Sequence, residues 1–450
     1  MTRTLVRPAI PKPWEGPMTA KFLTASALAL SIAAPAYAAD IEFWYGNTGR
    51  PEEAIQAHCT AFNEAQSEHT ITCVGQGGYE AGMQKAIAAY RSNEHPVLIQ
   101  FFDAGTLDLM LSDAVLPVSD LLPDVDWKDY NTGARGYYET STGALFSQPY
   151  NGSTLVFYAN MEELEKVGVT EVPETWEGVI EVARKLKEAG HECPFTTDAH
   201  PWRVLEQFSA RHGFAIASNN NGYGGLDAEY TFNEGPVADH LNNLAQWRAE
   251  GLVRLDQDTK ASKYNAAFNA GECAMMEAST GSYGAAYEAM GDTVKMTMAP
   301  MYDGVDRRNT FIGGASIWVM KGHEDADYEA AKAFLNFVRS NDQQIEFTRM
   351  TGYMPVTMAA LNELVESGKA ATDEFATAEM GVASLNQPGN ENSRGIRLGF
   401  YVQFRSIFQE ETQKAFNGEQ SMQAALDNAK MRGDELLRRF EQTYQGVTLP

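Results

Sequence analysis

The sequence predicts an α/β protein of two lobes joined by extended crossings, with a helical C-terminal third. Three observations predict it. Strand and helix patterns alternate between residues 41 and 103, the order that builds a parallel α/β sheet. Apolar strands recur after residue 154 and read as a second α/β unit, joined to the first by extended crossings. From "DADYEAAKAFLNFVRS" onward the pattern is almost entirely helical.

The elements follow in order. "IEFWYG" (41–46) reads as a strand, and the next segment spaces Ile55, Cys59 and Phe62 as one helical face. "TITCVG" (70–75) is a second strand, followed by a helix through Met83, Ile87 and Tyr90. "PVLIQFFD" (96–103) is continuously apolar, as a strand buried on both faces must be. "LVFYAN" (155–160) opens the second unit, and a helix starts near Thr175. Helices through "WRVLEQFSA" and "VADHLNNLAQWRAEGL" flank an Asn/Gly-rich loop at 217–230. "ECAMMEAS", "VKMTMAPMY" and "FIGGASIWVM" are further strands.

The chain of 450 residues carries a formal charge of −25, which argues against nucleic acid or anionic lipid as a general partner. Lys21, the apolar run "FLTASALALSIAAP" and "AYA" form an export signal ending at Ala38, with Met18 a candidate start. That run falls short of the ~20 residues a membrane span needs. Without residues 1–38 the balance is 31 basic against 59 acidic residues, a charge of −28. Four cysteines in an exported chain favour disulfides, and of three connectivities 59–73 with 193–273 keeps each pair within one lobe. The lobes are drawn as 39–152 plus 300–353, and 153–299 plus 354–450. No CxxC or His-rich spacing suggests a metal, and no cofactor motif is present.

Ligands of open α/β sheets sit beyond the carboxyl ends of the strands, so the residues there are candidates. Asp103 closes its strand with a carboxylate able to accept polyol hydroxyls, or equally to cap the next helix. Tyr79 follows a Gly-Gly turn, and Ser153 sits at the first crossing in "PYNGST". In "EASTGSYG", Ser279, Thr280 and Ser282 open a helix whose first-turn N–H groups favour an anion. Gly314 lies inside a strand, where glycine marks close backbone approach. Tyr353 stands between Gly352 and Pro355. Arg397, set between Ile396 and Leu398, is the candidate bidentate phosphate partner. No HExxH, GxSxG or Walker loop is present.

The stretches "GGYEAGMQKAIAAYRS", "LFSQPYNGSTLVFYAN", "NAGECAMMEASTGS", "FIGGASIWVM", "TGYMPVT" and "RGIRLG" together resemble the solute-binding proteins of bacterial ABC importers. Within that family the chain resembles more closely the branch that captures sn-glycerol 3-phosphate for Ugp-type importers. The resemblance implies the bilobal periplasmic binding protein fold (type II, maltose-binding-protein-like) and a monomer in the periplasm that delivers its ligand to a membrane permease. It implies a glycerophosphate site of Tyr79, Asp103, Ser153, Ser279, Gly314, Tyr353 and Arg397, with Ser, Gly, Tyr and Arg on the phosphate. Two departures stand out. The branch shows Glu where this chain has Asp103, and of two tryptophans three apart only Trp202 remains, with Ala199 in place of the first. The small residue is expected to enlarge the glycerol end and admit diesters such as glycerophosphocholine. A sugar-binding protein of the same fold is the alternative. A secreted hydrolase using Asp103 or Glu277 is the alternative of another class.

Overall fold

The computed structural model describes residues 38–450, together with Ala9. The export segment read at residues 1–38 therefore lies almost wholly outside the described residues. Among these, no helix is long and apolar enough to cross a membrane.

The strands are β1 (Asp40–Tyr45), β2 (Thr70–Gly75), β3 (Leu98–Phe102), β4 (Val115–Leu116), β5 (Gln148–Ser153), β6 (Leu155–Asn160), β7 (Phe195–Thr196), β8 (Val253–Arg254), β9 (Met275–Ser279), β10 (Val294–Met298) and β11 (Gly313–Met320). They form two sheets. The first runs β2-β1-β3-β11-β4, with β5 also paired to β11; the second runs β10-β6-β9-β7-β8. β1 pairs with β2 and β3 in parallel, whereas β11 is antiparallel to β3, β4 and β5. All five residues of β3 are buried, which explains its near-continuous apolar sequence. Its one polar residue, Gln100, has a function described below.

The chain passes between the sheets at Thr154, the single residue between β5 and β6. It returns through 299–312, the stretch between the end of β10 at Met298 and the start of β11 at Gly313. Met354 N–H donates to the Gly152 carbonyl (2.9 Å), and the hydroxyls of Thr154 and Thr310 bond each other at 2.6 Å. Three separate segments are thus tied side by side where the two sheets meet. Beyond β11 the chain is helical: Asp325–Val338, Asn341–Thr351, Met358–Glu366, Ala376–Leu385, Tyr401–Phe416 and Met422–Thr443. The "WRVLEQ" segment, expected as an ordinary helix, is wound more widely over Trp202–Gln207, with Phe208 N–H donating to the Arg203 carbonyl five residues back. Such π turns recur at functional sites.

Cys59–Cys73 and Cys193–Cys273 are bonded, closing loops of 14 and 80 residues. A cross-link removes more unfolded-chain entropy from the longer loop. We expect Cys193→Ser with Cys273→Ser to lower unfolding stability by about 1.5 kcal/mol more than the corresponding Cys59 and Cys73 pair. Chemical denaturation of the two double variants measures this, and an equal loss would refute it.

Candidate functional site

A cavity of about 290 Å³ lies between the sheets, close to the size of small-molecule sites. Tyr79, Asp103, Ser153, Trp202, Ser279, Gly314 and Tyr353 all line it, joined by Glu80, Phe102, Asp198, His200, Arg203 and Arg405. Seven residues singled out from sequence, spread over 275 positions, therefore meet around one cavity.

The first sheet supplies the tyrosines and their support. Gln100 on β3 accepts the Gly46 N–H (2.9 Å) and donates to Asn47 Oδ1 (2.7 Å) and Asn151 Oδ1 (2.8 Å). With their oxygens taken, both asparagines turn their NH2 groups outward. Asn47 donates to the Tyr79 and Tyr353 hydroxyls (both 3.1 Å), and Asn151 donates to Tyr79 (2.8 Å). Each phenol thus has an acceptor position filled and its proton left to donate. Tyr79 is held flat against Phe102, with centroids 5.4 Å apart and planes 3° apart.

The other wall comes from the second sheet and its helices. Ser279 ends β9 and caps the turn that follows, accepting the Gly281 N–H at 3.1 Å, so its own proton remains free. Thr280 and Ser282 do not reach the cavity. The Trp202 indole lies against β11: a Cβ at Gly313 would meet its ring at 2.4 Å, so only glycine fits there. Gly314 holds φ +102°, and a Cβ there would strike the Asn151 carbonyl oxygen. The Trp202 Nε1–H is buried and has no protein partner among the described residues. Arg203 is clamped by Asp198 (Nη1 to Oδ1 2.6 Å and to Oδ2 2.8 Å) and lies 4.5 Å from the Tyr264 ring. Burial lowers His200 to about 3, keeping it neutral. Ala199 is buried with φ 53° and does not line the cavity, though its neighbours Asp198 and His200 do.

The structure does not bring Arg397 to this cavity. Its guanidinium donates to the carbonyls of Tyr137 (3.3 Å) and Glu139 (3.1 Å) and lies over Tyr223, as does that of Arg394. Its backbone N–H donates to Asn221 O at 2.9 Å. Arg397 is a strut between the segment that follows Asn390 and the stretch leading into β5. Beside it, Asp108 Oδ1 accepts the N–H of Phe400 (3.2 Å) while Oδ2 is buried without a partner.

Besides Arg203, the cavity is lined by Arg405, on helix Tyr401–Phe416. Its Nε donates to Glu206 Oε1 (2.7 Å), and its Nη2 donates to Glu206 Oε2 (2.6 Å) and Asp103 Oδ1 (2.8 Å). All three side chains are at least nine-tenths buried. Burial, with Glu206 adding to it and Arg405 opposing, raises Asp103 to about 6. Sequence reasoning missed Arg405, Glu206, Asn47, Asn151 and Gln100. A signal for two of them was present: Arg405 is a lone cation on the buried face Tyr401, Val402, Phe404 and Phe408, and Glu206 a lone acid in an apolar stretch. Two isolated opposite charges on apolar faces point to each other. Chemically, the cavity combines a fixed cation, hydroxyl donors and carboxylate acceptors, which suits a small ligand with one anionic group and free hydroxyls.

A two-sheet α/β protein with its polar site in the gap is built to enclose a solute. The chain belongs to the bacterial extracellular solute-binding protein family, whose model matches residues 57–377. It is 34% identical over 440 residues to the sn-glycerol-3-phosphate-binding periplasmic protein UgpB of Escherichia coli strain K12, covering 93% of this chain and 98% of the relative. UgpB of Yersinia pseudotuberculosis is 35% identical over 434 residues, 92% of this chain and 96% of the relative. Among solved structures, UgpB from Mycobacterium tuberculosis in complex with glycerophosphocholine superposes with TM-score 0.75 at 19% identity, covering 89% of this chain and 99% of that one. Maltose-bound MalE3 of T. maritima superposes with TM-score 0.72 at 16% identity, covering 89% and 100%. The maltose-binding-protein-like fold expected from the motifs is the fold observed.

Burial raises Asp108 to about 7, far above a free carboxyl. Its ionisation therefore costs nothing below about pH 4, an increasing amount above that, and its full penalty above about pH 7. Asp108→Asn keeps an acceptor for Phe400 and should raise Tm by ~2 °C or more at pH 8, with the difference vanishing near pH 4. Thermal melts across that range check it, and a pH-independent offset would tell against this origin.

Proposed function

We propose that the protein captures a glycerophosphate ester, sn-glycerol 3-phosphate or a glycerophosphodiester, in this cavity and delivers it to the permease of an ABC importer from the periplasm. The observation that carries the reading is the buried Arg405 set in a cavity ringed by hydroxyl donors. Tyr79, Tyr353 and Ser279 each retain a proton to give, which suits phosphate oxygens. Asp103 offers an acceptor for a glycerol hydroxyl. The relatives named above bind this ligand class, and their similarity runs through almost the whole chain. In this reading the lobes divide as 39–152 plus 300–353, and 153–299 plus 354–450, and move about the three tied crossings.

Binding without turnover is supported by how the cavity's charged groups are occupied. Asp103 is held by Arg405, and Asp198 holds Arg203. Glu277, the other acid considered for hydrolysis, is buried against Arg211 at 3.0 Å and lies outside the cavity. His200 Nδ1 accepts the Trp202 N–H at 3.1 Å rather than facing a serine hydroxyl. Room for a diester substituent is sought next to Asp198 and His200, where a small Ala199 stands behind the wall.

Calorimetry with sn-glycerol 3-phosphate, glycerophosphocholine and maltose tests the reading: a phosphate ester binds and maltose does not. Binding of maltose alone would overturn it. Tyr353→Phe removes one donor to a charged group, a loss of about 1.5–3 kcal/mol, and should weaken ester binding at least ~10-fold, with a small fall in Tm from the lost Asn47 bond.

A further inference from the structure

The cavity's cations are outnumbered by its acids. Arg405 shares one nitrogen between Asp103 and Glu206, and a second nitrogen also goes to Glu206. The other cation, Arg203, has its charge opposed by Asp198, which holds its Nη1 through both oxygens. Two guanidiniums thus meet three carboxylates before any ligand arrives, and the exposed Glu80 adds a fourth acid to the wall. The remaining titratable groups near Asp103 supply no positive charge. Tyr137 and Tyr138, which follow helix Thr132–Gly136, and Tyr401, one turn before Arg405, are all pushed upward by burial and stay neutral phenols. His200, which also lines the cavity, is held neutral by burial.

A phosphomonoester carries close to two negative charges at neutral pH, because its second ionisation lies near 6. A choline phosphodiester carries one negative and one positive charge. Placing a dianion beside an uncompensated carboxylate in a water-poor site raises the energy of the ionised acid steeply, the situation in which one of two neighbouring acids binds a proton. The acid best placed to yield is Asp103. It lines the cavity, whereas Glu206 does not, and it holds Arg405 through one oxygen where Glu206 uses two. Already in the ligand-free protein its carboxyl lies near 6, so little further perturbation is needed.

Resting on the glycerophosphate reading, we infer that Asp103 takes up one proton from solvent when a phosphomonoester binds and none when a zwitterionic phosphodiester binds. The proton goes onto Asp103 Oδ, and no covalent bond of the ligand changes. Asp103 is then a specificity-determining residue: the site reads ligand charge through the protonation of its own acid, and the diester gains in preference as pH rises.

Calorimetry at pH 7.5 in two buffers of different ionisation heat counts the protons. Expected are close to one proton taken up with sn-glycerol 3-phosphate and close to none with glycerophosphocholine. Between pH 7 and 8.5 the monoester Kd should rise ~10-fold per pH unit while the diester Kd stays flat. Asparagine is the neutral isostere of protonated aspartic acid. Asp103→Asn should therefore keep monoester binding, abolish uptake, flatten the pH profile and bind the monoester more tightly than wild type at pH 8.5. Absence of uptake by the wild type, uptake persisting in Asp103→Asn, or loss of monoester binding by that variant would each overturn the inference. Failure of both esters to bind the wild-type protein would overturn the glycerophosphate reading itself, and this inference with it.

Discussion

The buried contact of Arg405 with Asp103 and Glu206 is the constraint around which the site is arranged. It joins three parts of the chain: the end of β3, the widely wound segment Trp202–Gln207 and the helix Tyr401–Phe416. A guanidinium at this depth is tolerable only with its charge opposed and its N–H groups bonded, and the two carboxylates do both. They also hold the cation rigidly over Phe102 (5.4 Å) and Tyr401 (5.6 Å), so its position is set before a ligand enters. Preorganisation of this kind lowers the ordering cost of capture. Its drawback is that the attraction available to an anion is largely spent inside the protein, in a chain that is strongly acidic overall.

Around that contact, the polar groups are fixed in a sequence of dependencies. Gln100 orients Asn47 and Asn151, these orient Tyr79 and Tyr353, and the tyrosines present protons to the cavity. An amide has two faces, and turning either asparagine over would leave Gln100 and a phenol both mismatched. The same logic appears at the crossings, where Thr154–Thr310 and Gly152–Met354 align three chain segments with only a few bonds.

Much of the fold was legible because its signals are local. The unbroken apolar run of β3, the helical spacing of Ile55, Cys59 and Phe62, and the even cysteine count each follow from neighbouring residues. Seven cavity residues were also legible, because strand ends, glycine pairs and the motif resemblance pointed to them. Arg397 misled because an arginine between Ile396 and Leu398 looks placed for a ligand, whereas its Nη2 is turned to the carbonyls of Tyr137 and Glu139. Arg405 was hidden for the converse reason. Its partners stand 302 and 199 positions earlier in the chain, so its place on an apolar helix face marks a buried cation without saying what it meets. Support residues such as Gln100 are the least visible, since a single amide in an apolar strand gains its meaning only from what folds against it.

The packing of Trp202 on Gly313 has a consequence of its own. The indole belongs to the side of the second sheet, and the glycine opens the returning strand of the first. Any widening of the gap lifts the ring off the glycine and into water, where its emission shifts to longer wavelength. The molecule thus contains an optical gauge of how closely Trp202 and Gly313 approach.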